Sequence, residues 1–367
     1  MAPILQTIAS LDSRSGGTST CTYDLVKALN ASGMPTDILT LQPGSPQERM
    51  VGEDSFIHAC PFDARTPLAV SRNIRRFLAG SRYCLYHTNG LWLDVNHATC
   101  AHARKMNAPC VVSLHGMLYP QALERGGWKK KLMLALGHRK DISGAACVHV
   151  TCEKEMEYYR DMGFSNPVAV IPNPVRIPEY LADIRRPGHE GFRAGFLGRL
   201  HPIKNLEAMK NFYSLPLRPE YKARLEELVR AENISNISFT GFVSGRRKYE
   251  MLSSLDVLCA PSHQENFGMS IAEALLAGTP VIASRGTPWE ALNTRRCGWW
   301  CGNDSSSLAA ALENAFNLSP QERLAMGGRG RALVMETCAA PHAADRMKRL
   351  YRYLLGQETK PEFVYLP

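Results

Sequence analysis

Two carboxylates bracket a turn and the start of a predicted helix. Glu265 lies in the turn, and Glu273 follows eight residues later inside the helix. A carboxylate repels phosphate but accepts hydrogen bonds from hydroxyls, as the acidic residue of a dinucleotide-binding fold does with ribose. A helix start carries unpaired N–H groups and a positive dipole end, which attract anions. This combination favours a ligand with both phosphates and hydroxyls, such as a nucleotide-sugar; the alternative is an ordinary strand–helix–strand unit with solvated glutamates.

The elements that position these residues follow from the apolar pattern. Val257–Ala260 is predicted to be a buried strand, Met269–Ala277 a helix and Val281–Ala283 the next strand. Gly278 ends the helix, and the order of elements predicts a parallel crossover. Gly268, in the turn, allows a phosphate to approach the backbone closely.

The region from Glu265 to Glu273 is similar to the E-x7-E motif of retaining glycosyltransferases. Pro-Ser, Asn-Phe-Gly, Ala-Glu-Ala and Gly-Thr-Pro-Val-Ile-Ala around it match as well. The chain therefore resembles glycosyltransferase family 4. The resemblance implies an α/β fold of the GT-B class, in which two Rossmann-like domains with parallel sheets face each other across a cleft. It also implies donor-binding roles for Glu265, Asn266, Phe267, Gly268, Met269, Ser270 and Glu273.

Two basic residues follow another predicted strand, which begins at Ala194. Arg199 and Lys204 lie five residues apart, and an Arg fork with a Lys point charge suits a diphosphate. The alternative is a pair of surface cations. The family has matching basic residues, so the resemblance implies that both residues bind the donor and neutralise the departing diphosphate.

The first half of the chain predicts a strand–helix–strand unit with Gly16 and Gly17 at the carboxyl end of its first strand, where such folds bind ligands. In the family, such a glycine loop faces the donor phosphates and the acceptor. Leu-His115-Gly resembles the family loop whose histidine faces the donor sugar. His87 follows the predicted strand Cys84–Tyr86, and a structural role is expected for it. The expected catalytic residues are therefore Glu265, His115, Arg199 and Lys204.

The chain is long enough for two α/β domains. Their expected limits are an acceptor domain at 1–178, a proline-bounded linker at Pro178–Pro187, a nucleotide-sugar domain at 188–340, a helix at 341–356 that packs back on the first domain, and a tail at 357–367.

One departure from the family lies near 209–220, where no apolar strand with a glycine turn is found. Phe212–Leu217 is the only substitute, and Pro216 makes it a poor central strand. Either Phe212–Leu217 substitutes for the strand, or the second domain is rearranged and lacks one strand here. Such a loss would leave backbone groups unpaired in a buried sheet and puts catalytic competence in question.

The composition limits the class of protein and its expected location in the cell. Hydrophobic residues are 45% and charged residues 21% of the 367, as in globular proteins. The 11 cysteines include no Cys-x-x-Cys pair, and Met1–Gly17 lacks the pattern of a signal peptide. With no apolar run long enough to span a membrane, we expect a cytoplasmic protein, peripheral at the inner face of the membrane.

The net charge of +9 is concentrated in two segments without acidic residues, Arg65–Arg82 and Arg125–Lys140. The second interleaves Trp128 and Leu132 with its cations, which is typical of a basic helix on an anionic membrane surface. The alternative is a solvated face beside a core-facing stripe. No nucleic-acid partner is expected, because no recognised binding motif is present.

No Asp-x-Asp pair is present, and His97, Cys100 and His102 do not share one helix face. We therefore expect no metal and no cofactor beyond the nucleotide-diphosphate-sugar, which is a co-substrate. The resemblance implies retaining transfer of a hexose-type sugar to a glycan or lipid-linked acceptor in cell-surface polysaccharide or lipopolysaccharide synthesis. A nucleotide-sugar epimerase on the same fold and a non-catalytic scaffold are the alternatives.

Overall fold

A computed structural model describes residues 3–12, 16–43, 50–63, 68–124, 127–208, 223, 225, 227, 230 and 238–367. The chain forms two compact units: Met1–Pro174 with Ala340–Pro367, and Val175–Ala339. The segment 209–220, where a strand is expected to be missing, lies outside the described residues. Arg65 and Arg125, at the starts of the two basic segments, also lie outside them.

The first unit is built on a sheet whose inner strands are largely buried on both faces, as parallel sheets covered by helices are. Its strands are β1 (Ile4–Ser10), β2 (Thr36–Leu41), β3 (Ile57–Cys60), β4 (Leu85–Asn89), β5 (Cys110–Ser113), β6 (Cys147–Val150), β7 (Val168–Val170) and β12 (Val364–Tyr365). Their order in the described sheet is β12-β7-β6-β5-β4-β1-β2-β3. Every pairing is parallel except that of β12 with β7.

Helices connect these strands and cover the sheet. They are α1 (Gly17–Ala31), α2 (Arg72–Gly80), α3 (Asp94–Lys105), α4 (Pro120–Glu124), α5 (Gly127–Met133), α6 (Arg139–Ser143) and α7 (Glu153–Asp161). The loop predicted to contain Gly17 is shorter than expected, because α1 already begins at that residue.

The C-terminal segment belongs to the first unit. Its helix α13 (Ala340–Leu354) buries Met347, Leu350 and Tyr351. The expected tail at 357–367 is wrong, because this segment contributes the antiparallel strand β12. Phe363 is only 6% exposed, so apolar burial and pairing with the sheet edge hold these residues in place.

The second unit contains, in its described part, a parallel sheet of order β11-β10-β9-β8. The strands are β8 (Ala194–Gly195), β9 (Val257–Ala260), β10 (Val281–Ser284) and β11 (Gly298–Cys301). The helices are α8 (Gly245–Ser253), α9 (Met269–Leu276), α10 (Ala291–Thr294), α11 (Ser305–Asn317) and α12 (Pro320–Thr337). The predicted strand–loop–helix–strand unit is confirmed as β9–α9–β10.

The segment expected to be a linker is structured within the second unit. Glu179–Asp183 forms a 3-10 helix with Leu181 buried. The Arg186 guanidinium donates to the buried Asp256 carboxylate at 2.8 Å. Since this ion pair ties the segment to the start of β9, 178–187 forms part of a packed domain.

The second basic segment differs from the single amphipathic helix that the sequence predicts. Gly127–Met133 is α-helical, Leu134–His138 is a π-helical turn, and α6 follows. Gly137 has a non-helical φ of 155° within the turn, and a glycine tolerates that geometry because it has no Cβ. Across the described residues, no helix combines the length and apolar character needed to cross a membrane.

Candidate active site

The loop between β9 and α9 is fixed by two neighbouring loops of the second unit. The backbone N–H of His263 donates to the Ile203 carbonyl, and that of Glu265 donates to the Gly286 carbonyl, both at 2.8 Å. The Trp289 indole N–H donates to the Phe267 carbonyl. These bonds hold the loop before any ligand binds.

Gly268 sets the start of α9. Its φ of 85° lies in the left-handed region, where an L-residue is strained. A Cβ added there would lie 2.9 Å from Ile271 Cδ1 and 3.2 Å from Glu265 Cγ. The position therefore requires glycine both for its backbone angle and for the approach of the Glu265 side chain.

Both carboxylates of the predicted motif are paired with lysines. The Lys204 ammonium donates to the Glu265 carboxylate, as a close ion pair. The Lys248 ammonium donates to Glu273 Oε1 at 2.6 Å. All four side chains are between 17% and 22% exposed. The charges are therefore partly shielded from water but remain accessible to a ligand.

Lys248 was not singled out from the sequence. It lies in α8, twenty-five residues from Glu273 in the chain, and no local pattern joins the two. Only the packing of α8 against α9 brings the ammonium to the carboxylate. The available signal in the sequence would have been that a site predicted to bind an anion needs nearby basic residues.

The other donor-binding candidates of the second unit lie around the same helix start. Phe267 is buried against Trp289, with ring centroids 5.5 Å apart. Asn266, Met269 and Ser270 are partly exposed at the first turn. Arg199 is exposed in the loop after β8, and it forms no ion pair with any residue that the structure describes. The structure thus brings Lys204 to Glu265 and leaves Arg199 apart from that pair.

The glycine pair of the first unit lies at the start of α1. Gly16 precedes the helix with φ of 95°, and no atom lies within 4 Å of a Cβ placed on it. Gly17 is the first helical residue. The space beside this helix start allows an anion to approach its amides.

His115 follows β5 in an unusual backbone conformation. Its φ is 50°, and that of Gly116 is 75°; strained residues of this kind cluster at functional sites. Its Nε2 lies 3.1 Å from Asn89 Oδ1. Burial, and then the neighbouring His149, lowers the pKa of His115 to about 3. The ring is therefore neutral at physiological pH and acts through hydrogen bonds.

His87 does not follow its strand as predicted. It lies within β4, is fully buried and contacts Tyr351 and Ser113. The predicted strand ends too early because His87, Thr88 and Asn89 are polar. Their side chains are hydrogen-bonded inside the fold, which permits their burial.

Two family models match the chain. The model of the Glycosyl transferase 4-like domain matches residues 16–174, and that of Glycosyl transferases group 1 matches residues 194–332. This chain belongs to the group 1 glycosyltransferases. Each match lies within one of the two structural units.

Several curated relatives are named as mannosyltransferases. The chain is 32% identical over 143 residues to an alpha-1,3/1,6-mannosyltransferase of Mus musculus, covering 38% of this chain but only 33% of the relative. It thus spans about a third of that relative's length. An O-antigen chain mannosyltransferase C of Escherichia coli is 23% identical over 374 residues, covering 94% of this chain and 96% of the relative.

Solved structures show the same fold over nearly the whole chain. Sucrose-phosphate synthase from Thermosynechococcus elongatus matches with a TM-score of 0.78 at 20% identity, covering 97% of this chain and 100% of the other. Anabaena HepE in complex with UDP and glucose matches with a TM-score of 0.70 at 15% identity, covering 96% and 99%. The expected GT-B fold class is confirmed.

Proposed function

We propose that this glycosyltransferase moves a hexose-type sugar, with retention, from a nucleotide-diphosphate-sugar to a glycan or lipid-linked acceptor in cell-surface polysaccharide or lipopolysaccharide synthesis. The observation that carries the proposal is the arrangement of two lysine–glutamate pairs at the start of α9. Lysines suit a diphosphate, and carboxylates suit the hydroxyls of ribose and sugar. The O-antigen mannosyltransferase supports the surface-polysaccharide role and makes mannose the first sugar to test.

In this proposal, Arg199 and Lys204 neutralise the departing diphosphate, where negative charge grows. Glu273 accepts from the ribose, Glu265 accepts from the sugar hydroxyls, and His115 contacts the sugar. The bond between the anomeric carbon and the diphosphate oxygen breaks, and a bond to the acceptor oxygen forms on the same face. The acceptor proton passes to the departing phosphate. No metal takes part, so activity is expected to persist in excess EDTA.

Thermal unfolding with a panel of UDP, GDP, ADP, CDP and dTDP tests the donor site. A nucleotide at 100 times its Kd adds roughly 2.7 kcal/mol to the stability of the state that binds it. We expect one nucleotide to raise the Tm selectively. The effect should be lost in Glu273→Ala and in Lys204→Ala, because each removes a group from the site.

Glu336→Ala is the matched control. Glu336 is an exposed carboxylate of the same unit, paired with Arg295 away from the loop. This variant should retain the nucleotide effect in full. If no nucleotide raises the Tm of the wild-type protein, the donor site is not functional and the scaffold alternative replaces this proposal.

We also propose that the protein is a cytoplasmic enzyme that binds the inner face of the membrane through the described parts of its two basic segments. Trp128 is 70% and Leu136 75% exposed, beside Lys129, Lys130 and Lys131. Apolar side chains among cations suit an anionic bilayer surface, where each basic residue contributes about 1 kcal/mol.

Co-sedimentation with anionic liposomes tests the membrane contact. Replacing Lys129, Lys130 and Lys131 with alanine should weaken binding, and raising the salt concentration should weaken binding of the wild type. The same triple change should leave nucleotide binding intact. Equal sedimentation of the two proteins would contradict the membrane proposal and leave the donor site untouched.

A further inference from the structure

A continuous chain of hydrogen bonds runs through the interior of the first unit and ends at His115. Seven side chains from four strands, the β5–α4 loop and α13 take part. In order they are His115, Asn89, Gln6, Tyr351, His87, Ser113 and His149, which contacts the Ile171 carbonyl. The successive distances are 3.1, 3.0, 2.9, 2.6, 2.6, 2.6 and 2.9 Å.

The far end of the chain fixes the direction of donation. The Ile171 carbonyl can only accept, so His149 donates to it from Nε2. A neutral imidazole has one donor and one acceptor, so His149 Nδ1 accepts from the Ser113 hydroxyl. The Ser113 oxygen then accepts from His87 Nε2, and His87 Nδ1 accepts from Tyr351.

Neutral rings are what this environment enforces. Burial lowers the pKa of His149 to about 4 and that of His87 well below its ordinary value, and nearby histidines lower the latter further. Gln6, His87 and Tyr351 have no exposed surface, so water cannot supply substitute partners. Each group must therefore satisfy its neighbours with the protons it has.

The two amides continue the same direction of donation. The phenol of Tyr351 has one proton, which goes to His87, so Gln6 must donate to the phenol oxygen. The Gln6 carbonyl then accepts from Asn89 Nδ2, which also lies 3.4 Å from the Thr7 carbonyl. Asn89 is left with its carbonyl oxygen facing His115. If every bond ran in the opposite direction, His149 Nε2 would be an acceptor facing the Ile171 carbonyl, which also can only accept.

We infer that Asn89, oriented by the buried chain behind it, is a positioning residue that holds His115 as its Nε2–H tautomer and leaves Nδ1 as a hydrogen-bond acceptor for a sugar hydroxyl. This inference rests on the proposed function for the role of Nδ1. The assignment of the His115 tautomer rests only on the chain of hydrogen bonds.

The chain also gives the C-terminal helix a role in the site. Tyr351 is the only member from α13, and it joins the histidine part to the amide part. Without its hydroxyl, Gln6 is free to turn over its amide, and Asn89 can follow. An Asn89 that presents its NH2 group would favour the opposite tautomer of His115.

Nitrogen NMR of ¹⁵N-histidine-labelled protein tests the tautomer directly, since protonated and unprotonated ring nitrogens differ in shift and coupling. His115→Gln assigns the His115 signals by their disappearance. The wild-type protein should show Nε2 of His115 protonated and Nδ1 unprotonated at neutral pH. The opposite tautomer, or a charged ring, would overturn the inference without any variant.

Tyr351→Phe cuts the chain, and Tyr159→Phe is its matched control. Tyr159 is equally buried, and its hydroxyl donates to Asn166 at 2.6 Å outside the chain. Tyr351→Phe should convert His115 to a tautomer mixture and lower kcat about tenfold, as the loss of one oriented hydrogen bond does. Tyr159→Phe should lower stability by a similar amount and leave both readouts unchanged.

Asn89→Leu removes the last link and should give the same tautomer mixture as Tyr351→Phe. An unchanged His115 signal in both variants, or an equal loss of kcat in Tyr159→Phe, would overturn the positioning role. These outcomes are separable from failure of the proposed function. A protein without nucleotide binding or transfer can still show the His115 tautomer, and a wrong tautomer leaves nucleotide binding in the second unit intact.

Discussion

Gly268→Ala is the substitution that most sharply tests how the loop between β9 and α9 is built. It adds a single methyl group at the start of α9. The native φ of 85° becomes strained for the new residue. The methyl would also meet Ile271 Cδ1 at 2.9 Å and Glu265 Cγ at 3.2 Å. The variant therefore strains the backbone and displaces the Glu265 side chain at the same time.

Two terms give the expected loss of stability. A left-handed alanine costs about 1–2 kcal/mol. Overpacking costs typically about 1–3 kcal/mol, and the low end applies because Ile271 Cδ1 is the end of a flexible side chain. We therefore expect a total of about 2–3 kcal/mol. A shift of Glu265 would also disturb its contact with Lys204, so nucleotide binding and kcat/KM should fall beyond what lost stability explains.

Gly278→Ala supplies the matched control at the other end of the same helix. Gly278 has φ of 83°, and the nearest atom to an added Cβ is Arg331 Nη2 at 3.2 Å, the far end of a flexible side chain. This variant should lose about 1–2 kcal/mol from the backbone angle alone. Its nucleotide binding should be unchanged, because the altered atoms lie away from Glu265 and Lys204.

Urea unfolding of the two variants and nucleotide titration of each supply the comparison. A Gly268→Ala variant as stable as the wild type would contradict both the expected backbone strain and the expected contact. An equal loss of nucleotide affinity in Gly278→Ala and in Gly268→Ala would contradict a specific effect on Glu265. Loss of binding would in that case reflect general destabilisation of the helix.

Three further outcomes are expected. Phe363→Ala should cost about 3–5 kcal/mol of stability. Tyr365→Ala should cost little, because Tyr365 is 39% exposed in the native protein. Equal and small effects of both changes in urea unfolding would indicate that 357–367 is an unpacked tail after all. Because burial lowers the pKa of His149 from 6.5 to about 4 and also lowers those of His115 and His87, the unfolded state binds more protons, and stability should fall as pH drops below 6.5, by up to about 1.4 kcal/mol per pH unit for each of these histidines; a urea-midpoint series that stays flat between pH 6.5 and 4 would contradict this. Lys204→Met should weaken nucleotide binding more than Lys204→Met combined with Glu265→Gln, as isothermal titration can show, since the single change leaves an unpaired carboxylate beside the phosphates.

The parts of the fold predicted correctly are those encoded by nearby residues. Val257–Ala260 and Val281–Ala283 are short apolar runs with a helical pattern between them, and Gly278 ends that helix. Local propensity and tertiary packing agree here, as they do in most natural sequences. The E-x7-E motif lies within this unit, so its position followed from the sequence as well.

The errors and omissions come from contacts between distant segments. Lys248 and Glu273 meet because α8 packs on α9, and no spacing rule encodes that. The 357–367 segment becomes ordered because β7 offers an edge that β12 can pair with. The expected basic helix is interrupted at Gly137, where one backbone angle overrides a pattern that favours a continuous helix.

The two lysine–glutamate pairs resolve a conflict that the motif itself creates. A site that binds a diphosphate and also uses carboxylates to hold hydroxyls places like charges near each other. Two unit charges 4 Å apart interact by about 4 kcal/mol at an effective dielectric of 20, which is enough to abolish useful affinity. A lysine on each carboxylate makes each pair neutral before the ligand arrives. In the proposed complex, the lysines turn toward the diphosphate while each carboxylate accepts hydrogen bonds from hydroxyls, so every charged group keeps a hydrogen-bonding partner.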